Sequence, residues 1–426
     1  MSEMRKLREL CSRITDGSHY SPEASTCGYP MLSVKDMDDY DFVFDDCKLI
    51  SDEEYEKMLR NGCVPHKNDV VIAKDGSYLK EVFVITEDRK IAILSSIGIL
   101  RPNTELIDPY YLKYYLSSDF VKRLVGRKYV TGSALPRIIL ENFGDIDIPY
   151  VPIDIQKILV SLLKDIDAKI ANNNSICSNL ESMAKLLYDY WFVQFDFPDE
   201  NGKPYKSSGG KMVWNDELKR EIPAGWEAGT FGDCISSINT GLNPRNNFKL
   251  NTGGTIKYLT VKNLTKDGMI DFSSCDFIDE TARSIVHRRS DIKVGDILFA
   301  SIAPLGRGCI ISDKPEDWDI NESVFSIRPD YQKMTSVFLY MTFMSDLFIK
   351  KAEGSSVGSV FKGIRISELQ DLKTVIPPKS ILDSFGEQVE QIHKMKSNAV
   401  TENQQLASLR DFLLPMLMNG QVKVGA

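Results

Sequence analysis

The feature that most constrains the fold of this chain is an internal repeat. The stretch DPYYLKYYLSSDF begins at residue 108, and a related stretch, TSVFLYMTFMSDLF, begins at residue 335. A shift of 227 positions places Leu112 on Leu339 and Asp119 on Asp346. Aromatic and aliphatic positions largely coincide as well, so the two stretches are expected to form the same element twice.

The repeat extends over most of the 426 residues. The segment KLRELCSRITDG matches TFGDCISSINTG at an offset of 224, NDVVIA matches GDILFA at 227, and further on the offset settles at 226. Residues that coincide are Lys35 with Lys262, Asp69 with Asp296, Arg101 with Arg328, Gly132 with Gly358, Pro152 with Pro378 and Leu180 with Leu406. Offsets that drift so little indicate a duplication with small loop insertions, so both halves are expected to share one architecture.

The first part of each half is predicted to be rich in β-strands. Short apolar runs such as DVVIA, EVFVIT and AILSSIGILRP are separated by turn residues. Within this part the repeated stretch is predicted to be a helix, because Tyr111, Leu112, Tyr115 and Leu116 share a face at helical spacing. We expect these tyrosines to pack in the core rather than to stack on nucleic-acid bases.

The last part of each half carries the pattern of a long amphipathic helix. Apolar residues recur at spacings of three and four over residues 155–166 and 381–413, which is typical of a coiled-coil-like seam. Asp154 and Ser380 are equivalent in the repeat, and both residue types suit a helix N-cap. Two such helices would bury their seams by packing on each other.

These patterns predict an α+β fold with two tandem duplicated β-rich domains, each followed by a long α-helix of a coiled-coil-like spacer. The connector between the halves is rich in Gly, Pro, Ser and charge. Part of it is expected to be ordered, because Trp214 and Trp226 are costly to expose. The predicted divisions are residues 1–151 for the first domain, 152–192 for its helix, 193–225 for the connector, 226–377 for the second domain and 378–420 for its helix.

Composition argues against several classes of protein. No apolar run approaches the ~18 residues of a membrane helix, and the charged N-terminus MSEMRKLRELCSR lacks the apolar core of a signal peptide. Eight cysteines and four histidines are scattered, which favours reduced cytosolic thiols over a zinc site. With 52 basic and 60 acidic residues the net charge is −8. A globally basic nucleic-acid binder is therefore not expected, although local basic loops remain open.

Two strings imitate active sites, and neither is predicted to be catalytic. Asp199, Glu217 and Lys219 resemble the spacing of a metal-dependent nuclease motif, but that chemistry needs acids on adjoining strands around Mg²⁺, and these residues lie in the connector. GSSVG around Ser356 matches a nucleophile-elbow pattern but follows the helix-like segment LFIKKAE instead of a buried strand. The sequence also lacks a P-loop, a dinucleotide fingerprint and the Asn-Pro-Pro-aromatic motif of adenine methyl transfer. It therefore predicts no catalytic and no metal-binding residue.

The order of the motifs resembles the specificity subunit of type I restriction–modification systems. The resemblance lies in RITDGSHYSPE near the start, NDVVIAKDG and GDILFASIAPLGRG within the domains, and ENFGDIDIPYVPIDIQ and SELQDLKTVIPPKSI at the helix entries. It also includes LLYDYWFVQFDFPDENGKPYKSSGGKMVW across the connector. The similarity spans nearly the whole chain, and its strength lies in order and duplication rather than in any single motif.

This resemblance implies a division of labour among subunits. Each β-rich part would be a target-recognition domain for half of a split double-stranded DNA sequence, and the two helices would run antiparallel as a ruler. Two methyltransferase subunits, which use S-adenosylmethionine to methylate adenine, would dock on the helices. A motor–nuclease subunit that uses ATP and Mg²⁺ would join them. The chain itself would be a non-catalytic, cytoplasmic component of phage defence that binds no cofactor.

Two similar modules on a rigid spacer also suit duplex DNA on physical grounds. A helix over residues 153–192 would span ~60 Å, and one turn of B-DNA is ~34–36 Å, so the domains could contact successive major grooves. Half-sites of about three to five base pairs would leave an unread gap of roughly six or seven. Because the frame repeats while the loops differ (KDGSYLKE against SIAPLGRG), the target is expected to be asymmetric.

Candidate DNA contacts are polar or basic residues in the Gly-marked loops, where Arg to guanine and Asn to adenine are the pairings that base geometry favours. In the first half they are Ser18, His19, Tyr20, Lys74, Lys80, Arg127, Lys128, Tyr129 and Arg137; in the second half they are Asn243, Arg245, Asn246, Arg307, Lys362 and Arg365.

Two other functions stay open at the level of sequence. The first is a standalone two-domain scaffold that binds proteins and not DNA, which the acidic net charge favours slightly. Salt-dependent DNA binding in the presence of a methyltransferase partner separates this scaffold from a specificity subunit. The second is an autonomous nuclease that uses Asp199, Glu217 and Lys219. Magnesium-dependent cleavage by the isolated chain would support it.

Overall fold

A computed structural model describes residues 3–75, 81–128, 130–131, 137–245, 247–265, 268–354 and 363–418, with the backbone alone at residues 128, 130–131, 137–138 and 353–354. The chain divides into two compact units. The first comprises Met1–Ser175 and Ala399–Ala426, and the second comprises Ile176–Asn398. Each unit combines one half of the repeat with segments of both long helices.

The first unit alternates short strands with short helices. Its strands are β1 (Glu3–Lys6), β2 (Cys11–Asp16), β3 (Tyr29–Leu32), β4 (Lys48–Ile50), β5 (Val70–Ala73), β6 (Val82–Val84), β7 (Ala92–Ile93), β8 (Ile97–Pro102), β9 (Val130–Thr131), β10 (Arg137–Ile138) and β11 (Asp147–Tyr150). Its helices are α1 (Leu7–Leu10), α2 (Asp52–Arg60), α3 (Pro109–Ser117), α4 (Asp119–Lys128) and α5 (Leu140–Gly144), followed by the long helix α6 (Ile153–Tyr188), which continues into the second unit.

The two sheets with more than two strands form the body of the β-rich part of the first unit. The larger sheet has the order β2-β8-β5-β6, with each neighbouring pair antiparallel, and the smaller has the order β4-β3-β7. Strand β5 is buried along its whole length because its sequence, VVIA, is apolar at every position. Strands β1 and β11 pair antiparallel and close the unit just before α6.

Helix α3 is the repeated stretch of the first half. It begins after Asp108, whose carboxylate accepts from the first free N–H groups of the helix. Tyr111 and Tyr115 are buried, and their hydroxyls donate to the carbonyls of Pro149 (3.0 Å) and Asp147 (2.9 Å). The prediction that these tyrosines pack in the core is confirmed.

The second unit contains the connector and the second half of the repeat. Its strands are β12 (Met212–Asn215), β13 (Arg220–Pro223), β14 (Glu227–Thr230), β15 (Ile235–Thr240), β16 (Ile256–Leu259), β17 (Asp276–Ile278), β18 (Ile297–Ala300), β19 (Gly308–Ile310), β20 (Trp318–Ile320), β21 (Val324–Pro329) and β22 (Lys373–Ile376). Its helices are α7 (Phe231–Cys234), α8 (Glu280–Ser290), α9 (Ser336–Phe343), α10 (Asp346–Gly354) and α11 (Ile366–Asp371), followed by the long helix α12 (Lys379–Met418), whose last part belongs to the first unit.

The sheets of the second unit repeat those of the first. The larger sheet has the order β15-β21-β18-β19, the smaller has the order β17-β16-β20, and β14 pairs with β22. The register repeats too: Ala73 lies opposite Ile97 in the first unit, and Ala300 lies opposite Val324 in the second. The duplicated α+β architecture predicted from the sequence is confirmed.

In the first unit the N-terminal part of α6 packs against the C-terminal part of α12. Asp167 lies 3.4 Å from the guanidinium of Arg410, and Asn173, further along α6, donates to Glu402 (2.7 Å), which lies earlier in α12. Leu414 and Met418 complete the core of this unit. The partner number falls as the α6 number rises, so the two segments are antiparallel.

In the second unit the C-terminal part of α6 packs against the N-terminal part of α12. Glu181 pairs with Lys396 (2.6 Å), and further along α6 the ring of Tyr188 packs on that of Phe385, with ring centroids 6.4 Å apart. The order of these contacts again makes the segments antiparallel. The predicted antiparallel helices are therefore found within each unit.

The expected N-caps of the long helices are each wrong by two residues. Helices α6 and α12 begin at Ile153 and Lys379. The carbonyls of Pro152 and Pro378 accept the first helical hydrogen bonds, from Gln156 and from the residues that follow Ser380. Asp154 and Ser380 therefore lie inside the first turn. Proline tolerates this place because the missing N–H has no partner at a helix start.

The connector is ordered, but one of its two tryptophans is exposed. After α6 the chain makes one π-helical turn, Asp189–Val193. Trp226 is buried and stacks on Phe197. Trp214, on the β12–β13 hairpin, is 58% exposed, and its Nε1 donates to Asp216 (3.1 Å). The expectation that Trp214 is buried is wrong. A two-stranded hairpin is a single layer, so a side chain on its outer face stays exposed unless another element packs on that face.

Among the described residues, no helix is both long enough and apolar enough to cross a bilayer.

Candidate DNA interface

One edge of the larger sheet gathers four of the predicted contacts of the first unit. Strands β2 and β5 both run towards the start of β8, with Asp16 opposite Gly98 and Ala73 opposite Ile97. The segments that follow β2 and β5 therefore leave the sheet at the same edge. Ser18, His19 and Tyr20 follow β2, and Lys74 follows β5. We call this edge the first-unit edge.

Two of these residues hold the loops in place. Ser18 is buried; its hydroxyl donates to the carbonyl of Tyr20 (2.7 Å) and accepts from the N–H of the same residue (3.1 Å). Lys74 is also buried, with its Nζ 3.4 Å from a carboxylate oxygen of Asp16 and 3.4 Å from one of Asp75. Both side chains are occupied by contacts within the unit.

Three other predicted contacts of the first unit face solvent. The side chain of His19 is 77% exposed, with its Nε2 3.4 Å from a carboxylate oxygen of Asp16. Tyr20 is 60% exposed, and Arg127 is exposed near the end of α4. These side chains have the accessibility that contact with a duplex requires.

Several predicted contacts cannot be placed by their side chains. Lys80, Tyr129, Asn246 and Lys362 lie outside the described residues. For Lys128 and Arg137 only the backbone is described, at the end of α4 and in β10. Their roles stay predictions from the sequence.

The equivalent edge of the second unit brings three loops together. Thr240 lies opposite Phe325 and Ala300 opposite Val324, so β15 and β18 end side by side. The segment before α11 reaches the same edge, because the N–H of Ile364 donates to the carbonyl of Ser301 (2.9 Å). We call this edge the second-unit edge.

The predicted contacts of the second unit lie on these loops. Asn243 and Arg245 follow β15, and Arg245 is exposed. Arg365 is exposed at the N-cap of α11, where its N–H donates to a carboxylate oxygen of Glu368 (2.9 Å). The second-unit edge therefore presents an amide and two guanidinium groups from two loops, which are donor types suited to bases and phosphates.

Arg307, between β18 and β19, is only partly exposed. Its Nη1 lies 3.5 Å from the carbonyl of Leu264, and its Nε is buried without a hydrogen-bond partner in the described chain. A buried guanidinium donor without an acceptor is unfavourable. A hydrogen-bond acceptor placed next to the Nε of Arg307 would remove this cost.

A basic cluster beside the second-unit edge is not among the residues predicted from the sequence. The last turn of helix α8 contains His287, Arg288 and Arg289, and the Nε of Arg289 donates to the hydroxyl of Thr240 (3.2 Å), the last residue of β15. The string HRR was visible in the sequence. Its place beside the edge was not, because Thr240 lies 49 positions away along the chain.

The strings that imitate active sites lie in ordinary turns or outside the described residues. Asp199 closes a turn in which its carboxylate accepts from the N–H groups of Asn201 and Lys203, and these bonds lower its pKa. Glu217 lies in the β12–β13 hairpin near Lys373. Ser356 is outside the described residues. In the part of the chain that the structure describes, no three His, Cys, Asp or Glu side chains are grouped as a metal site would require.

A comparison with protein-family models finds two matches along this chain. The model described as "Type I restriction modification DNA specificity domain" matches residues 2–182 and again residues 223–405. Each match covers one β-rich half together with most of the long helix that follows it.

Comparisons with individual proteins point in the same direction. The type I restriction enzyme MjaIX specificity subunit of Methanocaldococcus jannaschii is 26% identical over 316 residues, which cover 74% of this chain and 68% of that protein. The putative MjaX specificity subunit of the same organism is 22% identical, with 99% and 94% covered. A crystal structure of a type I restriction–modification S subunit from M. genitalium has a TM-score of 0.55 at 15% identity, with 100% and 97% covered, which supports a shared fold.

Proposed function

The chain belongs to the type I restriction–modification DNA specificity family, and from this premise we propose which of its parts contact DNA and which hold its partners. The resemblance noted in the sequence is confirmed, and the chain is a DNA-recognition subunit of such a complex, in a family whose curated relatives are named specificity subunits. The standalone scaffold and the autonomous nuclease find no support in these matches. As a DNA-recognition component, the chain is proposed to act in the cytoplasm, in defence against phage.

We propose that the two edges recognise two different half-sites of one DNA target. The observation that carries this proposal is that the edges share a frame and differ in side chains. The same strand order and register recur in both units. After the equivalent strands, the first unit presents His19 and Tyr20, whereas the second presents Asn243 and Arg245. Two edges that share strand order and register but present different side chains favour a target with two different half-sites.

The long helices are proposed to set the distance between the half-sites. Their antiparallel contacts in the first unit extend to Asn174, which accepts from Asn403 (2.8 Å). Those in the second unit begin at Cys177, whose Sγ lies 4.0 Å from the carbonyl oxygen of Lys396. A rigid helix pair is suited to transmit a fixed length, at ~1.5 Å per residue.

A matched insertion tests the ruler. Seven residues of helical sequence added after Asn174, together with seven after Val400, keep the seam in phase and add about 10 Å. We expect methylation-site profiling to show an unread gap about three base pairs longer, since one base pair rises ~3.4 Å. Both half-sites should stay the same. An unchanged gap with intact methylation would exclude the helices as the ruler.

Two methyltransferase subunits are proposed to dock at equivalent places. Exposed apolar side chains recur at matching positions of the repeat, which is unusual for surfaces that face only water. The first-unit patch comprises Phe120, Leu409 and Phe412, and the second-unit patch comprises Leu347, Met183 and Leu186. In the second unit an ion pair between Lys185 and Asp346 (3.1 Å) holds the two contributing helices side by side.

Single charged substitutions test the number of methyltransferase subunits. Leu186→Asp and Phe412→Asp each place a carboxylate in one patch, so each variant should bind one methyltransferase subunit and the double variant none. Light scattering of the purified complex gives the stoichiometry. Val294→Asp is the control, because Val294 is also an exposed apolar residue but lies outside both patches. Two bound subunits in either single variant would contradict the proposed patches.

The chemistry of the complex is assigned to the partners. The methyltransferase subunits are proposed to carry S-adenosylmethionine and to methylate adenine. A motor–nuclease subunit is proposed to use ATP and Mg²⁺ to translocate and cut unmodified DNA. This chain would contribute the recognition surfaces and the docking patches.

A further inference from the structure

The last turn of helix α8 contains three consecutive basic residues, His287, Arg288 and Arg289. Arg288 and Arg289 are exposed, and the side chain of His287 is 42% exposed. The guanidinium of Arg289 is tied to Thr240 at the end of β15, and Asn243 and Arg245 follow only a few residues later. The cluster therefore lies next to the second-unit edge, on a regular helix rather than on a loop.

A buried carboxylate orients the histidine. Asp319 in β20 is fully buried, and one of its oxygens accepts from the hydroxyl of Ser290 (2.6 Å) and the N–H of Ile320 (2.9 Å). Its other oxygen lies 2.9 Å from the Nδ1 of His287. Burial raises the pKa of Asp319. Because Nδ1 is held against Asp319, the Nε2 edge of the imidazole points away from this carboxylate and can serve an external group.

The two arginines differ in charge balance from the lysines near them. Four lysines around the smaller sheet are paired: Lys257 with Asp317, Lys262 with Asp276, Lys293 with Asp291 and Lys314 with Glu316. Among the described carboxylates, none pairs with Arg288 or Arg289. On a chain of net charge −8, two uncompensated guanidinium groups beside a recognition edge form a local site for an anion.

The described helix of the first unit that corresponds to α8 lacks this cluster. Its corresponding helix, α2, has acidic residues in the first turn and ends in Leu59, Arg60 and the C-cap Asn61. Lys57 in that helix is paired with Glu53 and Glu54. The basic helix end is therefore a property of the second unit and not of the duplicated frame.

We propose that His287, Arg288 and Arg289 form a phosphate-contact site for the DNA backbone that flanks the half-site of the second domain. This proposal rests on the proposed DNA recognition. Consecutive helical side chains point about 100° apart, so the three cannot enter one groove together, whereas they can follow the phosphates along its rim. Such contacts fix the register of the duplex and carry no sequence information.

The test uses the chain assembled with its methyltransferase, and a DNA duplex that contains the sequence methylated by this complex. The variants are Arg288→Ala with Arg289→Ala, and His287→Asn, which keeps an N–H donor for Asp319 but removes the ring. Arg288 and Arg289 are exposed, so the arginine variant is expected to fold normally. Lys314→Ala is the control, since Lys314 is exposed and paired with Glu316.

The readout is the slope of log K for DNA binding against log salt concentration. Each lost contact between a cation and a phosphate should lower the magnitude of this slope by ~0.9, so the double arginine variant should lose about two units. His287→Asn should weaken DNA binding. The methylated sequence should not change, and the control should keep the wild-type slope. Footprinting should show the lost protection beside the second half-site only.

Two results would overturn the site. One is an unchanged slope in the double arginine variant while the wild-type complex still prefers its target. The other is a changed base preference, which would make these residues base contacts. A wild-type complex that does not prefer its methylated target over a scrambled duplex would instead refute the proposed DNA recognition itself.

Discussion

The carboxylate of Asp296 receives two parallel hydrogen bonds from the guanidinium of Arg328, each 2.8 Å long. The equivalent residues of the first unit, Asp69 and Arg101, form the same pair at the same distances. Each aspartate precedes a buried central strand and is 1% exposed. The arginine lies on the neighbouring strand, so the pair fixes the start of the central strand in both copies of the frame.

Removing either aspartate should destabilise its own unit. Asp69→Ala leaves Arg101 without its buried partner, and loss of one member of a buried pair costs about 3–5 kcal/mol. We expect the lower end of this range, because the side chain of Arg101 is 32% exposed and can be hydrated in part. Hydrogen exchange of β5 under urea measures the effect on this strand. Glu316→Ala, which breaks an exposed pair, should cost less than about 1 kcal/mol. A similar small loss in Asp69→Ala would show that the pair does not stabilise the frame.

His393 should make the second unit sensitive to mild acid. Burial lowers the pKa of His393 from its usual 6.5, and the nearby positive charge of Lys396 lowers it further. The unfolded chain therefore takes up a proton first as the pH falls. The stability present above about pH 6.5 is lost as the pH falls towards the lower pKa of the folded state. His393→Leu should remove this part of the pH dependence. The measurement is the unfolding midpoint of α12 between pH 7.5 and 5, in the wild-type chain and in His393→Leu. If the midpoints of both proteins change with pH in the same way, His393 is not the cause of the acid sensitivity.

Arg307 should act on the second half-site alone. If it makes a bidentate contact with a base, Arg307→Ala should weaken binding by about 1–3 kcal/mol and relax one base position. Arg137→Ala should do the equivalent for the first half-site. Methylation-site profiling of each variant in its complex is the readout. If either substitution shifts both half-sites, or weakens all sequences equally, these arginines do not read bases.

The connector acids should be dispensable for catalysis. Asp199 lies in a local turn and Glu217 in an exposed hairpin near Lys373, so neither has the setting of a metal ligand. Asp199→Ala combined with Glu217→Ala should leave methylation and DNA cleavage by the assembled complex near normal. Loss of cleavage with assembly and DNA binding preserved would reveal a catalytic role for this string.

The repeat made the frame predictable. Matching positions such as Asp69 and Asp296 signalled one architecture used twice, and the strand orders confirm it. Helix starts were less predictable, because proline carbonyls accepted the first bonds in place of the expected caps. The exposed Trp214 was missed because hydrophobicity alone does not say whether a hairpin has a covering layer.

The candidate site was less predictable than the frame. Composition and loop position selected Ser18 and Lys74, but burial and local bonds occupy both. No local pattern indicated that Arg289 reaches Thr240 or that Asp319 orients His287, since these contacts join residues 49 and 32 positions apart. Contacts across such separations depend on how the sheets and helices pack.

This chain alone is proposed to determine which two-part DNA target the complex recognises. The most direct measurement is genome-wide adenine methylation in a host that expresses the methyltransferase subunit with and without this chain. We expect one bipartite motif, with two different half-sites and a fixed gap, that is methylated only when the chain is present. Methylation at the same motif without the chain, or at a continuous or palindromic motif with it, would show that this chain does not determine the target.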